Sequence, residues 1–413
     1  MRILVFFLLS IYLYGVDAIL QIEKDVEVRT HIGIVDSSSQ RNSTIEDILL
    51  SDLKISGHFL VDDKIYNEDF DTPIMTPSLK NQEYVLKYRF ESLNGSSLSI
   101  RLLKTSDSKE VFKKKYSISN KLKAPFLIHK AIYDINGFLR YPDIDWINRY
   151  VIFSRYTTPK HSEIVIADYT FHYKKVVIRG GLNLFPKWAN REQKSFFYTS
   201  FNGLYPTLYR LNIYTGAKSK IISSEGMLVC SDINKNGNKI LLTMAPNGQP
   251  DIYQLDLSTK TKQRITTFEG IDVNGKYIND GSSIVFVSNR LGYANIFKKS
   301  ISGIGGVTQM VFHGKNNNSI DSYNNKIVYS SRESSNSFGM NKFNIYLQEL
   351  DTGRLRAITT TGNNQFPRFS NDGNIIEYIK RYDGSSYIGY SNLATHKSLL
   401  FPLGVKKIQA IDW

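Results

Sequence analysis

The sequence predicts an N-terminal α/β domain followed by a C-terminal six-bladed all-β propeller. Three observations carry that expectation. From about residue 143 the chain repeats itself with a period of roughly 44 residues, inside the range of propeller blades. Each repeat holds short β-rich runs separated by turn pairs. Residues 19–140 lack the repeat and mix helical spacing with strand-like alternation. At 413 residues, the chain exceeds one ordinary core. Its balance of 41% hydrophobic and 22% charged residues is globular, and 26 Tyr and 23 Phe against 3 Trp favour half-buried pleated surfaces.

The first residues read as a signal peptide, 1–18. Arg2 supplies a positive start, Ile3 to Tyr14 is an apolar run, and Gly15-Val16-Asp17-Ala18 places small residues at a cleavage site after Ala18. The run is short for a membrane span, which is the competing reading. The mature chain would then start at Ile19. Residues 19–28 alternate apolar and charged, which suits either an extended partner-binding arm or an ordinary edge strand.

The N-terminal α/β domain, 19–140, opens with a strand at Ile32 to Val35. A helix follows, with Ile45, Ile48, Leu49 and Leu53 at helical spacing and an end near Gly57. Tyr84 to Phe90, Leu98 to Leu103 and Val111 to Ile118 alternate as an antiparallel sheet, with Asn94-Gly95 as a hairpin turn. Pro125 to Asn136 reads as a second helix, with Pro at its first turn.

The propeller, 141–413, shows one anchor strand per blade: Tyr150 to Ser154, Ser195 to Thr199, Lys239 to Thr243, Ser283 to Val287, Lys326 to Ser330 and Asn374 to Tyr378. A second strand follows each, as in Asp251 to Asp256. Asn236-Gly237, Asp280-Gly281 and Asp372-Gly373 precede anchor strands and tolerate the positive φ of tight hairpins. Thr215-Gly216 and Thr352-Gly353 lead into a third strand. A leading strand such as Phe185-Pro-Lys-Trp188 or Phe366-Pro-Arg-Phe369 makes four, its Pro fitting an edge at the central channel. The tail, Val405 to Trp413, is one more leading strand with no hairpin behind it. Pairing it into the first blade closes the ring and leaves no open edge.

The net charge of +14 is unchanged by loss of residues 1–18, which carry only Arg2 and Asp17. Export argues against nucleic acid as the partner, and the cations are scattered apart from Lys113-Lys114-Lys115. Cys230, the single cysteine, lies in the apolar patch Met227 to Cys230 and reads as a small core residue. Catalytic signatures fail to assemble. There is no Gly-x-Ser-x-Gly elbow and no His-Glu-x-x-His, and the seven His are dispersed. His129 and His161 read as structural or solvated. Asp143, Asp145, Asp168, Asp256 and Asp280 read as turn and cap residues. The expectation is a protein that is not an enzyme and carries no cofactor or metal.

Several motifs together carry a resemblance. They are Phe-Pro-Lys-Trp ending at Trp188, Asp251-Ile-Tyr-Gln-Leu-Asp256, Phe366-Pro-Arg-Phe-Ser-Asn-Asp-Gly373, Asp52-Leu53-Lys-Ile-Ser56-Gly57-His-Phe59 and the tail ending in Trp413. With the export signal, they resemble the TolB family, the periplasmic component of the Tol–Pal system, over essentially the whole mature chain. The resemblance implies a monomer that links the outer-membrane lipoprotein Pal to the inner-membrane protein TolA and touches membranes only through them. It implies a role in outer-membrane integrity, cell division and protein transport. It places the Pal contact at the propeller mouth, on Leu184, Phe185, Met227, Cys230, Val273, Asn274, Asn364 and Gln365. It places the TolA contact on the arm, at Ile19, Leu20, Gln21, Ile22 and Glu23. Two departures stand out: Met227 occupies a position where the family commonly has His, and the Pro-x-Trp signature is lost in the third to fifth blades. The alternative reading is a periplasmic propeller that binds a small molecule or glycan, or serves a protease. An apolar mouth favours a protein partner; a polar channel with convergent carboxylates favours a ligand or ion.

Overall fold

The computed structural model describes residues 29–332, 342–382, 385–403 and 408–413. The proposed signal peptide and the arm, 19–28, lie outside the described residues. The N-terminal domain runs β1 (Thr30–Asp36), α1 (Ser43–Ser56), β2 (Phe59–Asn67), β3 (Tyr84–Glu91), β4 (Ser96–Lys104), β5 (Lys109–Ile118) and α2 (Pro125–Phe138). Its sheet has the order β2-β1-β3-β4-β5. The three strands expected to be antiparallel are so, whereas β1 runs parallel to both β2 and β3. Strand β2 was not foreseen. It is an edge strand with an exposed middle at Asp62-Asp63-Lys64, so it lacks an alternating apolar face.

Helix α1 starts where the Asn42 side chain accepts the Ile45 N–H (3.3 Å), and it buries Ile45, Ile48, Leu49 and Leu53. It stops at Gly57, which is left-handed (φ 83°). A Cβ there would lie 2.4 Å from Thr395 Cγ2 of the sixth blade. Both the turn and the domain contact therefore require glycine.

Six four-stranded sheets form the propeller. The last strand, Ile408–Asp412, pairs antiparallel with Val151–Thr158 and supplies the leading strand of blade 1. The other leading strands are Asn183–Trp188, Leu228–Ile233, Asp272–Ile278, Lys315–Tyr323 and Asn363–Phe369, in blades 2 to 6. Side chains on each anchor strand alternate between two inter-blade cores. Phe196 packs towards blade 1 and Phe197 towards blade 3; Val285 packs towards blade 5 and Phe286 towards blade 3. The core between blades 6 and 1 continues without a break into the N-terminal domain, uniting Leu53, Ile132, Trp146, Tyr390 and Trp413.

At that junction His129 of α2 is fully buried. Its Nδ1 meets Asp52 of α1 (2.8 Å) and its Nε2 meets Asp168 of blade 1 (3.3 Å). Tyr169 donates its hydroxyl to Asp52 (2.5 Å), and Asp168 also accepts the Thr170 and Tyr173 N–H groups. Burial opposes a charge on His129, but Asp52 and Asp168 outweigh it and hold the imidazole at about 9. Burial pushes Asp52 up, while Asp168 is held down against burial by His129, Thr170 and Tyr173. The direction on His129 governs, because one imidazolium serves two carboxylates.

Two outcomes are expected. His129 has its pKa raised on folding, so its contribution is complete below the ordinary histidine value and is lost as pH rises through about 9. The wild type should lose up to about 3 kcal/mol of stability across that window, measured by urea unfolding at pH 6 and pH 10. His129→Ala should be less stable at pH 6 and show no such loss. A chain ending at Leu403, without the closing strand, should lose its single cooperative thermal transition and aggregate in size-exclusion chromatography, because blade 1 is left open.

Candidate functional site

The leading strands surround a central channel, and their sequence gives each one a kink. In blade 2 the pairing jumps from Lys187–Phe197 to Leu184–Thr199, leaving Phe185 and Pro186 as a bulge. The same break occurs at Asn274-Gly275, Ser319-Ile320 and Phe366-Pro367 in blades 4 to 6. The first residue of each pair is left-handed: Phe185 φ 56°, Asn274 φ 54°, Ser319 φ 51° and Phe366 φ 56°. Four non-glycine residues thus hold a costly conformation, roughly 1–3 kcal/mol each, at one place in the repeat. A bulge re-aims side chains, and all four of these residues line the channel. Asn274 is locked there by its N–H to Thr243 Oγ1 (3.0 Å) and its Nδ2 to the Ile320 carbonyl (3.2 Å).

The channel opens as a cavity of about 300 Å³. Phe185, Met227, Val229, Val273, Val287 and Phe366 make its walls apolar. Of the residues expected at the mouth, Phe185, Met227, Cys230, Val273 and Asn274 line this cavity together. Leu184 instead points into the protein, with 4% exposure. Asn364 is fully buried and donates to the Thr361 carbonyl (2.9 Å), while Gln365 stands in the leading strand away from the cavity lining. Cys230 is buried and lines the wall, and burial pushes its thiol up to about 12. The arm residues Ile19 to Glu23 lie outside the described residues.

Below the mouth lies a feature that motif reading missed. At one equivalent position, blades 1 to 6 carry Asp412, Lys187, Asp232, Lys276, Asp321 and Arg368, so charge alternates around the ring. Lys187 meets Asp412 at 2.7 Å, Lys276 meets Asp321 at 2.8 Å, and Arg368 lies 3.9 Å from Asp412. Each carboxylate also accepts a backbone N–H from the next blade: Asp412 from Trp188 (2.8 Å), Asp232 from Tyr277 (2.8 Å) and Asp321 from Phe369 (2.9 Å). Burial works against the charge of Lys187, Asp232, Lys276 and Asp321. Asp321 is nevertheless held down at about 2, chiefly by Lys276 and Arg368, and Lys187 is held above the usual lysine range by Asp412. Burial prevails at Lys276, which is lowered, and at Asp232, which is raised. Among the described residues, no group of three or more His, Cys, Asp or Glu is placed to hold a metal ion. Each ring carboxylate faces cations instead. The signal was present in the sequence, since the six residues recur every 44 to 47 positions.

The TolB beta propeller domain family matches residues 148–400. The chain is 42% identical to the Tol-Pal system protein TolB of Wolinella succinogenes, with 100% of each chain covered. It is 39% identical to the Tol-Pal system protein TolB of Helicobacter hepaticus, with 99% of each covered. Among solved structures, TolB from Acinetobacter baumannii superposes with a TM-score of 0.73 at 22% identity, covering 93% of this chain and 96% of that one, a likeness of fold. Matched through its propeller by the family and along its whole length by these relatives, the chain belongs to the TolB family of Tol-Pal system proteins.

Proposed function

We infer that the chain is a non-enzymatic, periplasmic protein-binding component of the Tol–Pal system. Its propeller mouth takes the outer-membrane lipoprotein Pal, and its mature N-terminal arm takes the inner-membrane protein TolA. The link supports outer-membrane integrity and constriction during cell division. Among the described residues no helix is long and apolar enough to cross a membrane.

The observation that carries this reading is the distribution of exposed apolar residues. Leu204, Met227, Ile271, Leu291, Tyr293 and Phe312 are all exposed, and all sit where leading strands enter or where anchor hairpins turn beside them. They therefore lie at the mouth end of blades 2 to 5, and Met227 itself lines the cavity. A patch of this kind marks a protein-binding face. Its centre offers a pocket for an anchoring side chain and its rim excludes water.

Calorimetry of the purified chain with the soluble domain of its own Pal tests the reading. Wild-type binding should weaken at least about tenfold in Phe185→Ala and in Met227→Asp, the scale of a hot-spot loss. Leu355→Asp, on an outer strand of blade 5, should bind as the wild type does. Absence of wild-type binding would overturn the assignment of Pal to this mouth.

A further inference from the structure

We propose that the floor of the propeller cavity is a carboxylate receptor, built to take an acidic side chain carried on an apolar stem, such as a glutamate of the protein partner. The choice of a protein partner rests on the function inferred above; the chemistry of the floor does not.

The ring as a whole is neutral, with three acids and three cations. The cavity does not meet it evenly. Only Lys187, Arg368 and Asp412, from blades 2, 6 and 1, line the cavity. Two cations flank one carboxylate there. Both oxygens of that carboxylate are engaged: Asp412 Oδ1 holds Lys187 (2.7 Å), Oδ2 accepts the Trp188 N–H (2.8 Å), and the side chain is 4% exposed. The cations are not saturated. Lys187 spends one donor on Asp412 and has three. Arg368 gives Nε to the Ile411 carbonyl (3.1 Å) and Nη1 to the Pro367 carbonyl (2.8 Å), while Nη2 has no acceptor among the described residues. Spare donors on two cations, under apolar walls, make a site that can take one more acceptor.

Geometry selects the occupant further. The walls around Phe185, Val229, Val273 and Phe366 reward a methylene stem, and they lower the local dielectric around whatever charge reaches the floor. A bare anion would forgo the walls, and a cation would meet Lys187 and Arg368. A glutamate side chain satisfies both parts, and its carboxylate can accept from both cations at once.

The probes are hexanoate, hexylammonium and hexanol, each titrated into the purified chain and followed by ligand-observed NMR. Hexanoate should bind at least about tenfold more tightly than hexylammonium and more tightly than hexanol, as charge complementarity requires. Lys187→Met and Arg368→Met should erase the preference for hexanoate, and Lys187→Arg should retain it. Equal binding of hexanoate and hexylammonium by the wild type would overturn the proposal without recourse to any variant, so a variant that fails to fold cannot shelter it. Preference for hexanoate with no binding of Pal would keep the floor and remove the partner. Binding of Pal with no preference would keep the partner and remove the floor.

Discussion

The pairing of Ile408–Asp412 with Val151–Thr158 is the constraint on which the propeller rests. A ring of sheets has no intrinsic start, but a chain does, and an unclosed ring leaves a raw edge on each side of the gap. The closing strand fills that gap with residues that serve several purposes. Ile408 and Ile411 enter the shared core, Asp412 binds Lys187 and the Trp188 N–H, and Trp413 packs edge-on against Trp146 (5.5 Å) and Tyr390 (5.3 Å). Blade closure, channel floor and domain junction therefore meet within six residues.

The same region explains why the two domains behave as one body. The core between blades 6 and 1 runs into the helices of the N-terminal domain, and Asn392 of blade 6 donates to the Ile55 carbonyl at the end of α1 (3.1 Å). His129 adds direction to this otherwise apolar contact, since only one register of the domains brings Asp52 and Asp168 to its two nitrogens. A buried charge set of this kind contributes uncertain net stability against a hydrophobic substitute, while breaking it by one partner is costly.

Most of the architecture was legible because periodicity is a strong signal. Anchor strands such as Ser195 to Ser200 and turns such as Asp372-Gly373 repeat at fixed intervals, and the unmatched tail announced closure. Strand β2 was not legible, since an exposed edge strand has no buried face to impose alternation. At the mouth, five expected residues converge on the cavity, because they lie in or just before the leading strands that wall it. Leu184 faces the other side of its strand from Phe185, and Asn364 is held inside by its bond to the Thr361 carbonyl (2.9 Å). The ring charges escaped notice for another reason. Motif reading follows what repeats, and at the ring position what repeats is a change of sign.

That change of sign restricts what the ring can become. Alternation around a closed circle demands an even number of members. With six blades every acid has a basic neighbour on each side, from Asp412 through Lys187 and round to Arg368. Loss or gain of a single blade would set two like charges side by side in a buried wall, a frustrated arrangement with no local remedy. Blades of this chain can be exchanged or duplicated only in acid–base couples. The effective building unit of the propeller is thus the blade pair, twice the length of the repeat that the backbone displays.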